Sequence, residues 1–194
     1  MLTPSDDKPD GNKRSFVSKQ NKLRAHDPEL FDALLKINQD INLRRVTHVE
    51  TTGFIPNAVF FNDVLGDSGL ERRSYFHRAK SALSSSALIF FDPDNGLDVA
   101  STKKGHIASS KYIYRDELED FYGSGHSLLI YQHYPRIQRD IFRKQIAADL
   151  SGKLSGAHVS AFSTANVVFF LAAQPTHGES LLQINVPGID RYQF

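Results

Sequence analysis

Ala87-Leu88-Ile89-Phe90-Phe91 runs directly into Asp92-Pro93-Asp94-Asn95-Gly96, and this junction decides how the chain reads. A short, wholly apolar run closed off by turn formers is too brief for a helix and suits a strand buried on both faces. Pro93 stiffens the turn and Gly96 permits a positive φ, so the segment after the strand is held rigidly. Ser127-Leu128-Leu129-Ile130-Tyr131 repeats the pattern and stops at Gln132-His133-Tyr134-Pro135-Arg136. Both runs read as central strands of a largely parallel sheet, which binds ligands at the carboxyl ends of its strands.

Helical patterns surround these strands. Asp27 caps a first helix with Pro28 at its start, followed by Leu30, Phe31, Leu34, Leu35 and Ile37. Ser68 caps a helix over 69–83 with an apolar stripe of Leu70, Tyr75, Phe76, Ala79 and Leu83. A short helix is expected near 116–122 with Asp116 as cap, and an amphipathic one over 138–154. Arg45–Glu50 alternates as a strand ending at Thr51-Thr52-Gly53, and Asn57–Phe61 reads as a second short strand. Segments 158–162 and 167–172 flank Ser163-Thr164-Ala165-Asn166 and suit a hairpin.

This alternation predicts an α/β fold, Rossmann-like, with a mostly parallel sheet, flanking helices and an antiparallel hairpin near the C-terminus. Residues 1–26 read as a polar loop or tail, 27–175 as one α/β domain, and 176–194 as a tail or short helix.

Composition narrows the function classes. In 194 residues, Lys+Arg number 23 and Asp+Glu 22, a net charge of +1 that gives no global field for nucleic acid. The absence of Cys excludes disulfides, thiolate metal sites and a Cys nucleophile, and fits a cytoplasmic protein. No apolar run approaches the ~18 residues that span a bilayer, so no membrane partner is expected. The Met1-Leu2-Thr3-Pro4-Ser5-Asp6 start lacks the basic and apolar regions of a signal peptide.

Three constellations carry candidate chemistry. Asp92, Asp94 and Asn95 offer two carboxylates and an amide that can accept a proton, orient an amino group or hold a cation. Turn formation explains the same residue types. If the two apolar strands are parallel neighbours, Gln132, His133 and Arg136 stand beside them, His133 for proton transfer and Arg136 for an anionic group. A helix start after Pro135 is the plainer explanation. Ser101–Tyr112 carries Lys103, Lys104, His106 and Lys111, a mobile polar loop that can attract a polyanion or simply be solvated. Phosphate-loop, dinucleotide-fingerprint, zinc-helix and nucleophile-elbow motifs are all missing from the sequence.

The blocks ALIFFDPDNGLDV, SSKYIY and HSLLIYQHYPR, in this order, resemble a family of bacterial and phage proteins with no assigned activity. A more distant likeness is to Rossmann-fold, S-adenosylmethionine-dependent methyltransferases that act on nucleobase amino groups. There a buried strand ends in Asp/Asn-Pro-Pro-Tyr/Phe and receives the target amine. Asp92 and Pro93 match, whereas Asp94-Asn95 replaces the Pro-aromatic pair and removes its base-stacking ring. The glycine-rich cofactor loop has no counterpart beyond Asp10-Gly11.

The resemblance implies S-adenosylmethionine as cofactor and a nucleic acid or nucleotide as partner. The loops themselves nominate Asp92, Asp94 and His133 for catalysis and Asn95, Lys111, Gln132 and Arg136 for substrate binding, and of these the likeness matches only Asp92. The resemblance also implies that a first strand and helix of the family are absent before Met1, leaving residues 3–24 loosely packed and the cofactor side open. Two alternatives remain: a Mg2+-dependent phosphoester hydrolase built on Asp92 and Asp94, and a non-catalytic nucleic-acid or protein-binding module.

Overall fold

The structure, a computed structural model, describes residues 1–4, 24–25, 27–40, 46–183 and 189–194. It contains two compact units, 5–60 and a larger one of 1–4 with 61–194. In the smaller unit, α1 spans Pro28–Gln39, and the Asp27 carboxylate accepts the Leu30 N–H at 3.0 Å, the cap expected from the sequence. The expected strand at Arg45–Glu50 is instead a helix, α2, over Val46–Thr51, with Arg45 outside the described residues. Its β-branched residues favour extended backbone only weakly, and six residues without a partner strand gain no ladder. Asn57–Phe61 also forms no strand: Asn57 has φ +60°, and Val59 and Phe60 are exposed.

The larger unit is mixed α/β. Helix α3, Gly69–Ala82, begins where Ser68 accepts the Glu71 N–H. Strand β1 is Leu88–Phe91, and β2, Gly96–Leu97, pairs in parallel with β3, Tyr112–Ile113. Helix α4 covers Arg115–Gly123, β4 Ser127–His133 and α5 Arg139–Lys153. Asp116 lies inside the first turn of α4 and does not cap it. The cap position is Tyr114, whose N–H donates to Glu117 at 3.0 Å.

Strands β5, His158–Ser163, and β6, Val167–Ala173, form the expected hairpin, and Thr164 closes its turn by accepting N–H bonds from Asn166 and Val167. The C-terminal segment, expected as a tail or short helix, holds helix α6, Gly178–Leu182, and in addition a strand, β7, Asp190–Gln193, that pairs with β5. Polar DRYQ carries no apolar strand signal. Its pairing is decided by the open edge of β5.

The five-stranded sheet has the order β1-β4-β6-β5-β7. Only β1 and β4 are parallel, and the other three pairings are antiparallel, so the sheet is mixed rather than mostly parallel. Among the described residues β1 lies at the edge of the sheet, not at the centre as its apolar run suggested. Ile89 and Phe91 face the core, whereas Leu88 and Phe90 remain 38% and 51% exposed. An uninterrupted apolar run identifies a strand but not the number of neighbours it will have.

The core lies on one side of the sheet. Ile89, Phe91, Leu128, Ile130, Val168 and Phe170 pack there with Phe76 of α3, Phe121 of α4 and Phe142 and Leu150 of α5. Tyr75, Phe76, Phe121 and Phe91 meet edge to face, with successive ring centres 5.1, 6.3 and 5.3 Å apart. On the other side Phe162, Leu171 and Ala173 form a smaller cluster with Leu129, Phe169, Leu181 and Ile189. That cluster stops short of β1, which leaves aromatic surface beside the carboxyl end of the first strand.

Beneath the helices Arg72 is buried and forms a two-pronged pair with Glu117, Nη2 to Oε2 at 2.7 Å. Its remaining donors reach the carbonyls of Ser109 and Tyr112, at 2.8 and 2.7 Å. A buried guanidinium tolerates its loss of water only when well supplied with acceptors, and here each of its three nitrogens has one. Among the described residues no helix is long and apolar enough to cross a membrane.

Candidate functional site

The register of β1 on β4 sets the site. Leu88 pairs with Ser127 and Phe91 with Ile130, so the next step along each strand brings Asp92 level with Tyr131. Side chains alternate along a strand, which puts Tyr131 and His133 on the side opposite Ile130 and Gln132. The parallel neighbourhood expected from the sequence therefore forms, and the ends of the two strands share one edge.

Tyr131 and His133 touch directly. Their rings meet edge to face with centres 5.0 Å apart, and the Tyr131 hydroxyl lies 3.1 Å from His133 Nε2. Tyr131 also packs against Phe169 at 5.4 Å, and Phe169 against Phe90 at 6.2 Å. The result is a row of aromatic rings across three strands, ending at a histidine.

Asp92 faces this row. Loss of water at the crowded strand end pushes its carboxyl above the ordinary value, and the Asp94 charge adds to the effect. The Met1 amino group and His133 pull in the opposite direction. Burial in turn lowers the Met1 amine, against the attraction of Asp92 and Asp94, and Asp92 raises the already desolvated Tyr131 phenol. Asp92 is thus the group on which the neighbouring charges converge.

The first residues of the chain border the same edge. The Met1 amine donates to the Asp92 carbonyl at 3.3 Å, and the Thr3 hydroxyl donates to Asp94 at 2.9 Å. Leu2 bridges to Val64, and its carbonyl accepts the Leu65 N–H at 2.8 Å. Of the segment 3–24 expected to pack loosely, residues 5–23 lie outside the described residues, while Thr3 is hydrogen-bonded.

The remaining candidates divide by role. Gln132 is buried and its amide holds the frame. Oε1 accepts the Leu97 N–H at 2.7 Å, and Nε2 donates to the His133 carbonyl at 2.8 Å. This bond clamps β2, and with it the Asp92 turn, onto β4. Gly96 has φ +88°, and a Cβ there would lie 2.2 Å from Gln132 Oε1. Asn95 donates its backbone N–H to the Lys111 carbonyl at 2.8 Å, so Lys111 touches the turn through its backbone. Arg136 is exposed, and among the described residues no ion pair joins it to Asp92 or Asp94. Buried Pro93 anchors the turn between the exposed side chains of Asp92 and Asp94.

Asp92, Asp94 and His133 therefore come together, Asn95 stands next to them, and Arg136 is not drawn in. Tyr131 belongs to the group although sequence reasoning passed over it as a core residue. Its signal was the two-residue spacing from His133, which puts both on one strand face.

Among the described residues no three His, Asp or Glu groups lie together to hold a metal ion, which leaves Asp92 and Asp94 as a bare pair. For S-adenosylmethionine, no described strand lies beyond the outer edge of β1, where a doubly wound sheet continues into its second half. Comparison with known protein families, curated proteins and solved structures finds no match for the chain.

Proposed function

We propose that the carboxyl edge of β1 and β4 binds a nucleobase through its exocyclic amino group, as the substrate side of a Rossmann-like, methyltransferase-type fold. The observation that carries this reading is the joint placement of Asp92, Tyr131 and His133 on one strand edge. An Asp-Pro turn at the end of a buried strand supplies acceptors for an N–H group. The aromatic ring missing from the turn has a substitute in Tyr131, half-buried and one strand away. A flat base stacks on such a ring while its edge is read by hydrogen bonds.

Each group has a definite task in this reading. Asp92 accepts an N–H of the amine at the strand end, where the approach of a donor offsets the loss of water that raises its carboxyl. His133, held by the Tyr131 hydroxyl, offers a hydrogen bond to the base beside its amine. Asp94, held by Thr3, accepts a second N–H. No step is assigned to S-adenosylmethionine.

Titration calorimetry with adenosine and inosine tests the reading. The two differ in whether the purine carries an amino group. Wild-type protein is expected to prefer adenosine, and Asp92→Ala to abolish the preference without loss of fold by circular dichroism. Equal binding of both nucleosides, or none, contradicts the proposal.

A further inference from the structure

The loop between β2 and β3 presents an apolar side chain to water on a rigid mount. Ile107 is 90% exposed at its tip. Ala108 beside it takes φ +67°, a left-handed conformation that a residue with a Cβ adopts only when its surroundings impose it. The imposing group is Asp67, whose carboxylate accepts the N–H groups of Ala108 and Ser110 at 2.9 and 2.8 Å. Its carbonyl takes the Ser109 hydroxyl at 2.9 Å, and Arg72 holds the Ser109 carbonyl from below. Burial opposes the Asp67 charge, but the Ser110 and Ala108 N–H groups outweigh it and keep the carboxyl below its ordinary value. The loop expected to be mobile is therefore braced.

Its charges are unevenly compensated. Lys104 pairs with Asp116 and Glu117, and Lys80 with Asp120. Lys103, exposed near the tip, and Arg73, on the adjoining turn of α3, have no carboxylate partner among the described residues. The α-carbon of Gly69 approaches Gly105 so closely that a Cβ on Gly105 would lie 3.3 Å away, which sets the loop against the start of α3. Arg73 and Lys104 line one groove of about 450 Å³ there, in which Lys80 and Lys104 offset Asp116, Glu117 and Asp120 and Arg73 is left uncompensated among the described residues. The foot of the loop, Lys111, is bonded to Asn95 in the candidate site.

From these placements the geometry points to a nucleic-acid docking loop, in which Lys103 and Arg73 contact backbone phosphates and Ile107 wedges into the base stack. Uncompensated cations complement a polyanion. An apolar wedge beside them is the means by which proteins unstack a base step. The inference rests on the nucleobase reading for its purpose, since a base must leave the stack before its amine can reach Asp92.

Anisotropy of short labelled single strands and duplexes, with 2-aminopurine as a reporter of unstacking, tests it on the full chain. Wild-type protein binds and raises 2-aminopurine fluorescence. Ile107→Ala weakens binding about tenfold, the burial of one large aliphatic side chain, and removes the fluorescence rise. Lys103→Ala lowers the slope of log affinity against log salt by about 0.7–0.9. Asp92→Ala still binds, which separates this loop from the nucleoside titration above. Wild-type behaviour from both loop variants, or no binding by wild type, overturns the inference. Because both loop side chains are exposed, neither change threatens the fold.

Discussion

Replacing Gly96 by alanine puts a methyl group where the amide of Gln132 already sits. The new Cβ would stand 2.2 Å from Oε1 and 2.5 Å from Cδ, so the amide must move. Moving it breaks the 2.7 Å bond to the Leu97 N–H, which is buried. Leaving such a donor unpaired costs about 1–3 kcal/mol. The φ of +88° adds the strain of a side chain in left-handed backbone, about 1–2 kcal/mol. Together Gly96→Ala is expected to lose about 2–5 kcal/mol, a large share of a typical stability of about 5–15 kcal/mol. Urea unfolding followed at 222 nm reads the loss directly.

A double-mutant cycle isolates the mechanism. Gln132→Ala alone leaves the same N–H unpaired and costs about 1–3 kcal/mol. In the double variant that penalty is counted once, so the two losses fall short of additivity by about 1–3 kcal/mol. A Gly96→Ala loss under about 0.5 kcal/mol, or full additivity, would refute the clamp between β2 and β4.

Arg72→Leu is expected to cost about 3–5 kcal/mol by stranding Glu117, and Glu117→Gln added to it restores part of the loss in the same unfolding assay. Because the folded carboxyl of Asp92 titrates above its unfolded value, its contribution to stability is full below the ordinary carboxylate range and is lost as pH rises through the folded value. Asp92→Asn therefore stabilises the protein at neutral pH, by less than about 1 kcal/mol because the side chain remains open to water, and gives no gain in strong acid. Carbon-13 NMR of the Asp92 carboxyl should show a titration midpoint above the usual range, moving down in Asp94→Asn and further up in His133→Ala.

Local signals in the sequence reached much of this fold. Asp27, Pro28 and Ser68 act within one turn of themselves, so the starts of two helices follow from them. The apolar runs at 88–91 and 127–131 are strands, and their carboxyl ends do adjoin. What escaped was set by partners far along the chain. Whether Phe90 is covered depends on what lies beside β1, and four apolar residues in a row are silent on that. Polar Asp190–Gln193 becomes a strand because β5 offers an edge. Arg72 and Glu117 stand 45 residues apart with no shared motif, yet they fix the loop that carries Ile107. At the site, residue types were legible while their duties were not: Gln132, read as a substrate ligand, holds the frame, and Tyr131, read as core, faces His133.

The central claim is that Asp92, Tyr131 and His133 act as one site for an amino-bearing base. Side-chain NMR of selectively labelled tyrosine and histidine, followed during titration with adenosine, tests it most directly. The Tyr131 ring and His133 imidazole resonances should shift together and saturate at one ligand concentration, with inosine producing much smaller changes and Asp92→Ala none. Shifts confined to other tyrosines and histidines, or equal responses to both nucleosides, would contradict it.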